Sequence, residues 1–265
     1  MCYTFKSMDT GYYVGNAFYD YVDKNFDNFV YAKENLWLLV YGNKRCEPKV
    51  IIVLSALDKQ SYDLEKFSQS ETEIIYYATQ ISEKSNVPWI YVSFVKNEKK
   101  LSKVKVYSPE KKLFYKEITP DELADIYRSF DLFIVKKESA KSINKQYSNV
   151  YQKWQMTIGY GLTGSDIDIM KVKRGNIQSV YELKRSHIAI ERWRPYPADF
   201  HNFVLLSKLF LKCKIKFYIV YNYRKETPFL DDISKIKVYK IDASNRNFYE
   251  EIGIFNTKDF FDKDF

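Results

Sequence analysis

Two stretches of the chain carry the same succession of hydrophobic patterns. LWLLVYG (36–42) and KVIIVLSAL (49–57) are near-continuous apolar runs bounded by polar residues, the pattern of buried strands. TEIIYYATQISEK (72–84) spaces its apolar residues at helical intervals, and PWIYVSFV (88–95) and KVKVYS (103–108) return to strand character. From residue 165 the order recurs. SDIDIMKV (165–172) and QSVYELKRS (178–186) predict strands, and ADFHNFVLLSKLFLK (198–212) predicts a helix with apolar positions at 200, 203, 204, 206, 210 and 211. IKFYIVYNY (215–223) and KIKVYKID (235–242) then predict two more strands.

Residue identities support this reading as a repeat. SKVKVY (102–107) answers SKIKVY (234–239), and FYKEI (114–118) answers FYEEI (248–252), at offsets of 132 and 134. Sliding the first half by 130 lays residues 30–56 over 160–186 without a gap. The expectation is an α/β protein of two tandem copies, 1–125 and 126–265, each of a size suited to a small domain. No Gly/Ser/Pro-rich linker marks the boundary. The competing explanation is compositional, because strands rich in Lys, Tyr, Ile and Val resemble one another.

Composition narrows the class. The chain has 265 residues with 46% hydrophobic and 29% charged side chains, which excludes a disordered polypeptide. No apolar run approaches the roughly 18 residues of a membrane span, and the start, MCYTFKSMDT, has no apolar core of a secretory signal, so no membrane partner and a cytoplasmic location are expected. Cys2, Cys46 and Cys213 lack CxxC spacing, and His187 and His201 are too few for a histidine metal cluster. The net charge of +8 is unevenly distributed: about −1 over 1–135, +12 over 136–225 and −3 over 226–265. A basic middle segment suits a polyanion partner, although a solvated lysine-rich surface has the same composition.

Strand parity then brings charges together. In 165–172 Asp166, Asp168 and Met170 share one face; in 178–186 Glu182 and Lys184 do. A hairpin turning at Gly175 sets Asp168 opposite Glu182 and Asp166 opposite Lys184, at the roughly 4.5–5.5 Å Cβ spacing of cross-strand pairs. Two carboxylates without His or Cys suit a hard divalent cation such as Mg²⁺, with Mn²⁺ as a substitute. Lys184 could then orient water or neutralise a phosphate. A cross-strand ion-pair cluster on an exposed sheet face is the alternative. Glu-x-Lys triplets start at Glu47, Glu98, Glu110 and Glu182, so the triplet carries weight only through the apolar strand and neighbouring carboxylates around Glu182.

Asp168 in GSDIDIM with Glu182 and Lys184 in YELKRS resembles the PD-(D/E)XK nuclease superfamily, which includes restriction endonucleases and Holliday-junction resolvases. The resemblance spans about residues 136–242 and includes the helix and strand that follow; Ile167 stands where the superfamily's name places proline. It implies a restriction-endonuclease-like mixed sheet flanked by helices and a Mg²⁺-dependent endodeoxyribonuclease. Asp168, Glu182 and Lys184 would be catalytic, the two carboxylates also metal ligands. Glu138, with Glu122 as alternative, would be the acidic residue many members carry on a preceding helix and a further metal ligand. DNA is the implied substrate ahead of RNA, and one site per chain implies two chains or two binding events to cut both strands.

Lys171, Lys173 and Arg174 around the hairpin, and Arg185, Arg192, Trp193 and Arg194 after the Glu-x-Lys strand, are candidate nucleic-acid contacts. The basic side chains suit phosphates and the indole suits stacking on a base, though Trp193 could instead anchor a polar loop. In the first copy the same slide puts Leu38, Ile52 and Leu54 at the positions of Asp168, Glu182 and Lys184, so that copy is expected to lack the site. The alternatives are a non-catalytic nucleic-acid-binding protein of the same fold and a metal-independent RNA-processing endonuclease, the latter disfavoured by the scarcity of histidine.

Overall fold

A computed structural model describes residues 16–262 apart from 65, 136–148, 160, 227, 228 and 246. The elements in chain order are α1 (Ala17–Asn25), β1 (Phe29–Val30), β2 (Leu36–Gly42), β3 (Pro48–Leu57), α2 (Lys59–Asp63), α3 (Gln69–Ser85), β4 (Trp89–Val95), β5 (Val104–Ser108), β6 (Leu113–Ile118) and α4 (Pro120–Arg128). The second series is α5 (Val150–Ile158), β7 (Thr163–Asp166), β8 (Ile169–Lys173), β9 (Asn176–Ser186), α6 (Phe200–Cys213), β10 (Lys216–Glu226), β11 (Phe229–Ile241), β12 (Tyr249–Asn256) and α7 (Thr257–Asp262).

These elements form two mixed sheets flanked by helices, one in each of two units. The expected cut at 125/126 falls inside α4. One unit instead spans Asn35–Asp166, and the other joins the residues up to Glu34 to those from Ile167 onward. The long apolar runs explain the layering: a strand covered on both faces has no polar side. In β10, Tyr218 and Val220 join the core formed with α1 and α7, while Phe217 packs against Phe210 of α6.

The sheet orders are β1-β8-β9-β10-β11-β12 and β7-β2-β3-β4-β5-β6. Among the described residues each has one parallel pair, β9/β10 and β3/β4, and the other strand pairs are antiparallel. The parallel pairs require crossovers, supplied by α6 and by α2 with α3. The two units therefore share one topology, and the SKVKVY and SKIKVY segments lie on equivalent strands, β5 and β11. Val106 pairs with Val92 as Val238 pairs with Val220. FYKEI and FYEEI lie on the equivalent strands β6 and β12 but out of register, since Ile118 pairs with Val104 whereas the partner of Ile236 is Phe255.

In the Asn35–Asp166 unit three buried phenols converge from β2, α4 and α5. The hydroxyls of Tyr41 and Tyr151 are 3.2 Å apart and those of Tyr151 and Tyr127 2.5 Å apart. Burial, together with the neighbouring phenols, raises all three pKa values well above that of ordinary tyrosine. Tyr151 is the middle member, so Tyr151→Phe strands two buried hydroxyls. The expected loss is about 1–3 kcal/mol, measured by urea denaturation; an unchanged midpoint would show that the hydroxyl chain contributes nothing.

Candidate functional site

The strand expected over 165–172 is divided. Asp166 ends β7 and pairs with Leu39, while β8 starts at Ile169, so Asp166 lies in the other unit's sheet and does not oppose Lys184. The hairpin behaves as expected: Ile169 pairs with Tyr181, Met170 with Val180 and Lys171 with Ser179, before a bulge near the turn. Arg174 and Gly175 both adopt positive φ, 52° and 75°, at the tip, the conformation a tight two-residue hairpin turn demands.

This register carries Asp168, one residue before β8, to the level of Glu182. Because β9 runs past the start of β8, Leu183 has no β8 backbone partner, and its N–H donates to Asp168 Oδ2 at 2.8 Å. The Asp168 side chain thus completes the ladder that the backbone leaves open. Its other oxygen, Oδ1, lies 3.5 Å from the Tyr19 hydroxyl of α1, which donates to it.

Glu182 and Lys184 share a face of β9. The Glu182 side chain is 4% exposed, and its Oε1 receives Lys184 Nζ at 2.8 Å. The ammonium also lies 3.9 Å from Asp199 Oδ2 and 5.5 Å above the Phe203 ring centroid. Burial works against the charge on Lys184, but the carboxylates of Glu182, Asp168 and Asp199 outweigh it and hold the pKa above that of an ordinary lysine. Asp199 closes a 3-10 turn (Pro197–Asp199) and stands at the N-cap of α6 without capping it. The N-cap of α3 in the other unit, Ser68, forms a full capping box with Glu71. A carboxylate at an N-cap ordinarily accepts a helix N–H; here it faces the lysine instead. Sequence reading passed over both Tyr19 and Asp199, and Asp199 was detectable as an acidic residue preceding the helix after Glu-x-Lys.

The expected nucleic-acid contacts separate by environment. Lys173, Arg174, Arg192 and Arg194 are exposed. Lys171 is buried and donates from Nζ to the Phe261 carbonyl at 2.8 Å. Arg185 Nη1 bonds Asp231 Oδ2 at 2.6 Å, and Arg224 flanks the same carboxylate, which also accepts the Ala17 N–H. Trp193 is 1% exposed and stacks on Tyr221 with 4.3 Å between centroids and 4° between planes. Its indole anchors the loop, and the ring, the buried Lys171 and the half-buried Arg185 are all engaged inside the protein. Glu138 lies outside the described residues. Glu122 caps α4, accepting the Thr119 N–H, and so is occupied in holding a helix end.

Among the described residues no three His, Cys, Asp or Glu side chains gather as a metal cluster. Asp168 and Glu182 offer two carboxylates, which fits Mg²⁺, an ion usually held by one or two carboxylates with water and phosphate oxygens completing its shell. The positions equivalent in the other unit follow from matching Val106 with Val238 and tracing the pairings across both sheets. They are Leu38 for Asp168, Val53 for Glu182 and Ser55 for Lys184. The gap-free slide had given Ile52 and Leu54, one residue out, because it could not register the differing connections. Leu38, Val53 and Ser55 are all buried. The same topology is therefore built with no charge at these three places.

No family model, curated protein or solved structure matches this chain.

The raised pKa of Lys184 carries a testable sign. A lysine held above its unfolded value of about 10.4 contributes stability fully below that pH and loses it as pH rises through the higher folded value. In an NMR titration Lys184 should remain protonated while exposed lysines titrate, and Glu182→Gln should move it downward. Titration of Lys184 alongside the surface lysines would contradict the ion-pair geometry.

Proposed function

We propose that the chain is a metal-dependent endonuclease of the PD-(D/E)XK type that hydrolyses phosphodiester bonds in DNA at Asp168, Glu182 and Lys184. One observation carries this reading: a fold that accepts leucine, valine and serine at these positions in one unit holds aspartate, glutamate and lysine in the other. Burying charge costs several kcal/mol per ion before pairing, so charges that the fold does not need point to chemistry. The order of elements supports the same reading. The hairpin of β8 and β9, the helix α6 and the parallel strand β10 follow one another as the superfamily resemblance requires.

Asp168 and Glu182 would hold Mg²⁺, or Mn²⁺ in its place. When bound, the ion would neutralise a phosphate oxygen and favour ionisation of a water. The Leu183 N–H keeps Asp168 from rotating away, so one ligand is oriented in advance. Lys184, held protonated by its carboxylate neighbours, is suited to donating a hydrogen bond to a phosphate oxygen or to the attacking water, and unsuited to accepting a proton. The exposed Lys173, Arg174, Arg192 and Arg194 supply charge for the nucleic-acid backbone. DNA in preference to RNA rests on the superfamily resemblance alone, and a second chain would be needed to cut both strands together.

The test is incubation with supercoiled plasmid and with synthetic branched DNA, with Mg²⁺ or with EDTA. Wild type should cleave only with the metal, and Glu182→Gln should lose on the order of 10²-fold or more. Binding without turnover would support a non-catalytic nucleic-acid-binding protein, and EDTA-resistant cleavage of RNA an RNA-processing enzyme; either result overturns the proposal.

A further inference from the structure

The two series of elements are the same series. Apart from the five-residue α2 between β3 and α3, α1-β1-β2-β3-α3-β4-β5-β6-α4 is followed in chain order by α5-β7-β8-β9-α6-β10-β11-β12-α7. Yet β1, from the first series, pairs with β8 of the second, and β7, from the second, pairs with β2 of the first. Each leading helix and strand lies in the sheet of the other repeat.

The leading helices correspond in detail. Both have nine residues, and both are capped by asparagine: the Asn16 side chain accepts the Phe18 N–H, and the Asn149 side chain accepts the Gln152 N–H. Two residues after each cap a buried aromatic meets the last helix of its sheet. Phe18 packs on Phe261 of α7 with centroids 5.5 Å apart, and Tyr151 meets Tyr127 of α4 through its hydroxyl. On this alignment Tyr19 corresponds to Gln152.

We propose that the carboxylate site is composite across an exchanged tandem repeat: its strands come from the second repeat, and Tyr19, a positioning residue for Asp168, comes from the first. Tyr19 is 2% exposed, and its ring lies 4.6 Å from that of Tyr31, which leaves the hydroxyl directed at Asp168 Oδ1. Leu183 N–H takes Oδ2, so the carboxylate is gripped at both oxygens. The other unit departs from this pattern as a set, with glutamine in place of Tyr19 and leucine in place of Asp168. The N-terminus of α1 is itself fixed by Asp231, which accepts the Ala17 N–H while pairing with Arg185 and Arg224.

The role of Tyr19 rests on Asp168 being a metal ligand, as proposed above, and binding separates the two claims. Mn²⁺ affinity is measured by calorimetry for the full chain, for Tyr19→Phe and for Tyr31→Phe. Tyr31→Phe is the control, because its hydroxyl bonds Asp23 and its ring stays beside Tyr19. Outer-shell partners of metal ligands typically contribute about 10- to 100-fold in affinity, so Tyr19→Phe should weaken Mn²⁺ binding about 10-fold and Tyr31→Phe should leave it unchanged. Wild-type affinity in Tyr19→Phe, or equal weakening in both variants, overturns the positioning role while leaving the metal site standing. Absence of Mn²⁺ binding to wild type overturns both.

Discussion

The bond from the Leu183 N–H to Asp168 Oδ2 organises the candidate site. Strand β9 outruns β8, so its edge would expose an unsatisfied donor next to a nearly buried glutamate. A side-chain carboxylate one residue ahead of β8 satisfies that donor, and in doing so it is placed across from Glu182. The chain changes sheets at this point, Asp166 belonging to one and Ile169 to the other, and Asp168 stands in the gap between the two strands with its side chain on the Leu183 N–H.

Around this bond the charges are arranged as a connected series. Glu182 holds Lys184, and Lys184 lies 3.9 Å from Asp199, whose helical backbone at the end of the 3-10 turn leaves its carboxylate off the α6 N–H groups. On the side of α1, Arg185 and Arg224 neutralise Asp231, whose carboxylate also accepts the first N–H of α1 and suits the positive end of that helix. Helix α1 then presents Tyr19 to Asp168. An arginine that sequence reading assigned to phosphate contact serves instead to fix the helix beside the site. Its guanidinium is held by a 3% exposed aspartate.

Much of this was legible in the sequence because it depends on period. The apolar runs at 36–42, 49–57, 88–95 and 215–223 have no polar face, and strands buried on both sides leave that signature. The hairpin at Gly175 was legible, and the bulge between Lys171 and Val172 shifts its register by the one residue that brings Asp168 level with Glu182. What escaped was non-local. Nothing in the spacing of Asp166 and Asp168 distinguishes one strand from two short ones in different sheets. Helix α1 is short, and its asparagine cap resembles that of α5 only when both are seen at helix starts. The exchange of β1 and β7 inverts the simplest expectation, that each repeat folds on itself, so a cut at 125/126 followed naturally from the sequence. Trp193 reads as a stacking residue among arginines, and only the position of Tyr221 shows that its face is taken.

The central claim is that Asp168 and Glu182 together hold a divalent cation. Anomalous diffraction from crystals equilibrated with Mn²⁺ addresses it directly. One peak is expected within coordination distance of oxygens from both Asp168 and Glu182, with Lys184 beside it, and none near Leu38 and Val53. A peak bound elsewhere in the chain, or no peak at these carboxylates at saturating Mn²⁺, would contradict it.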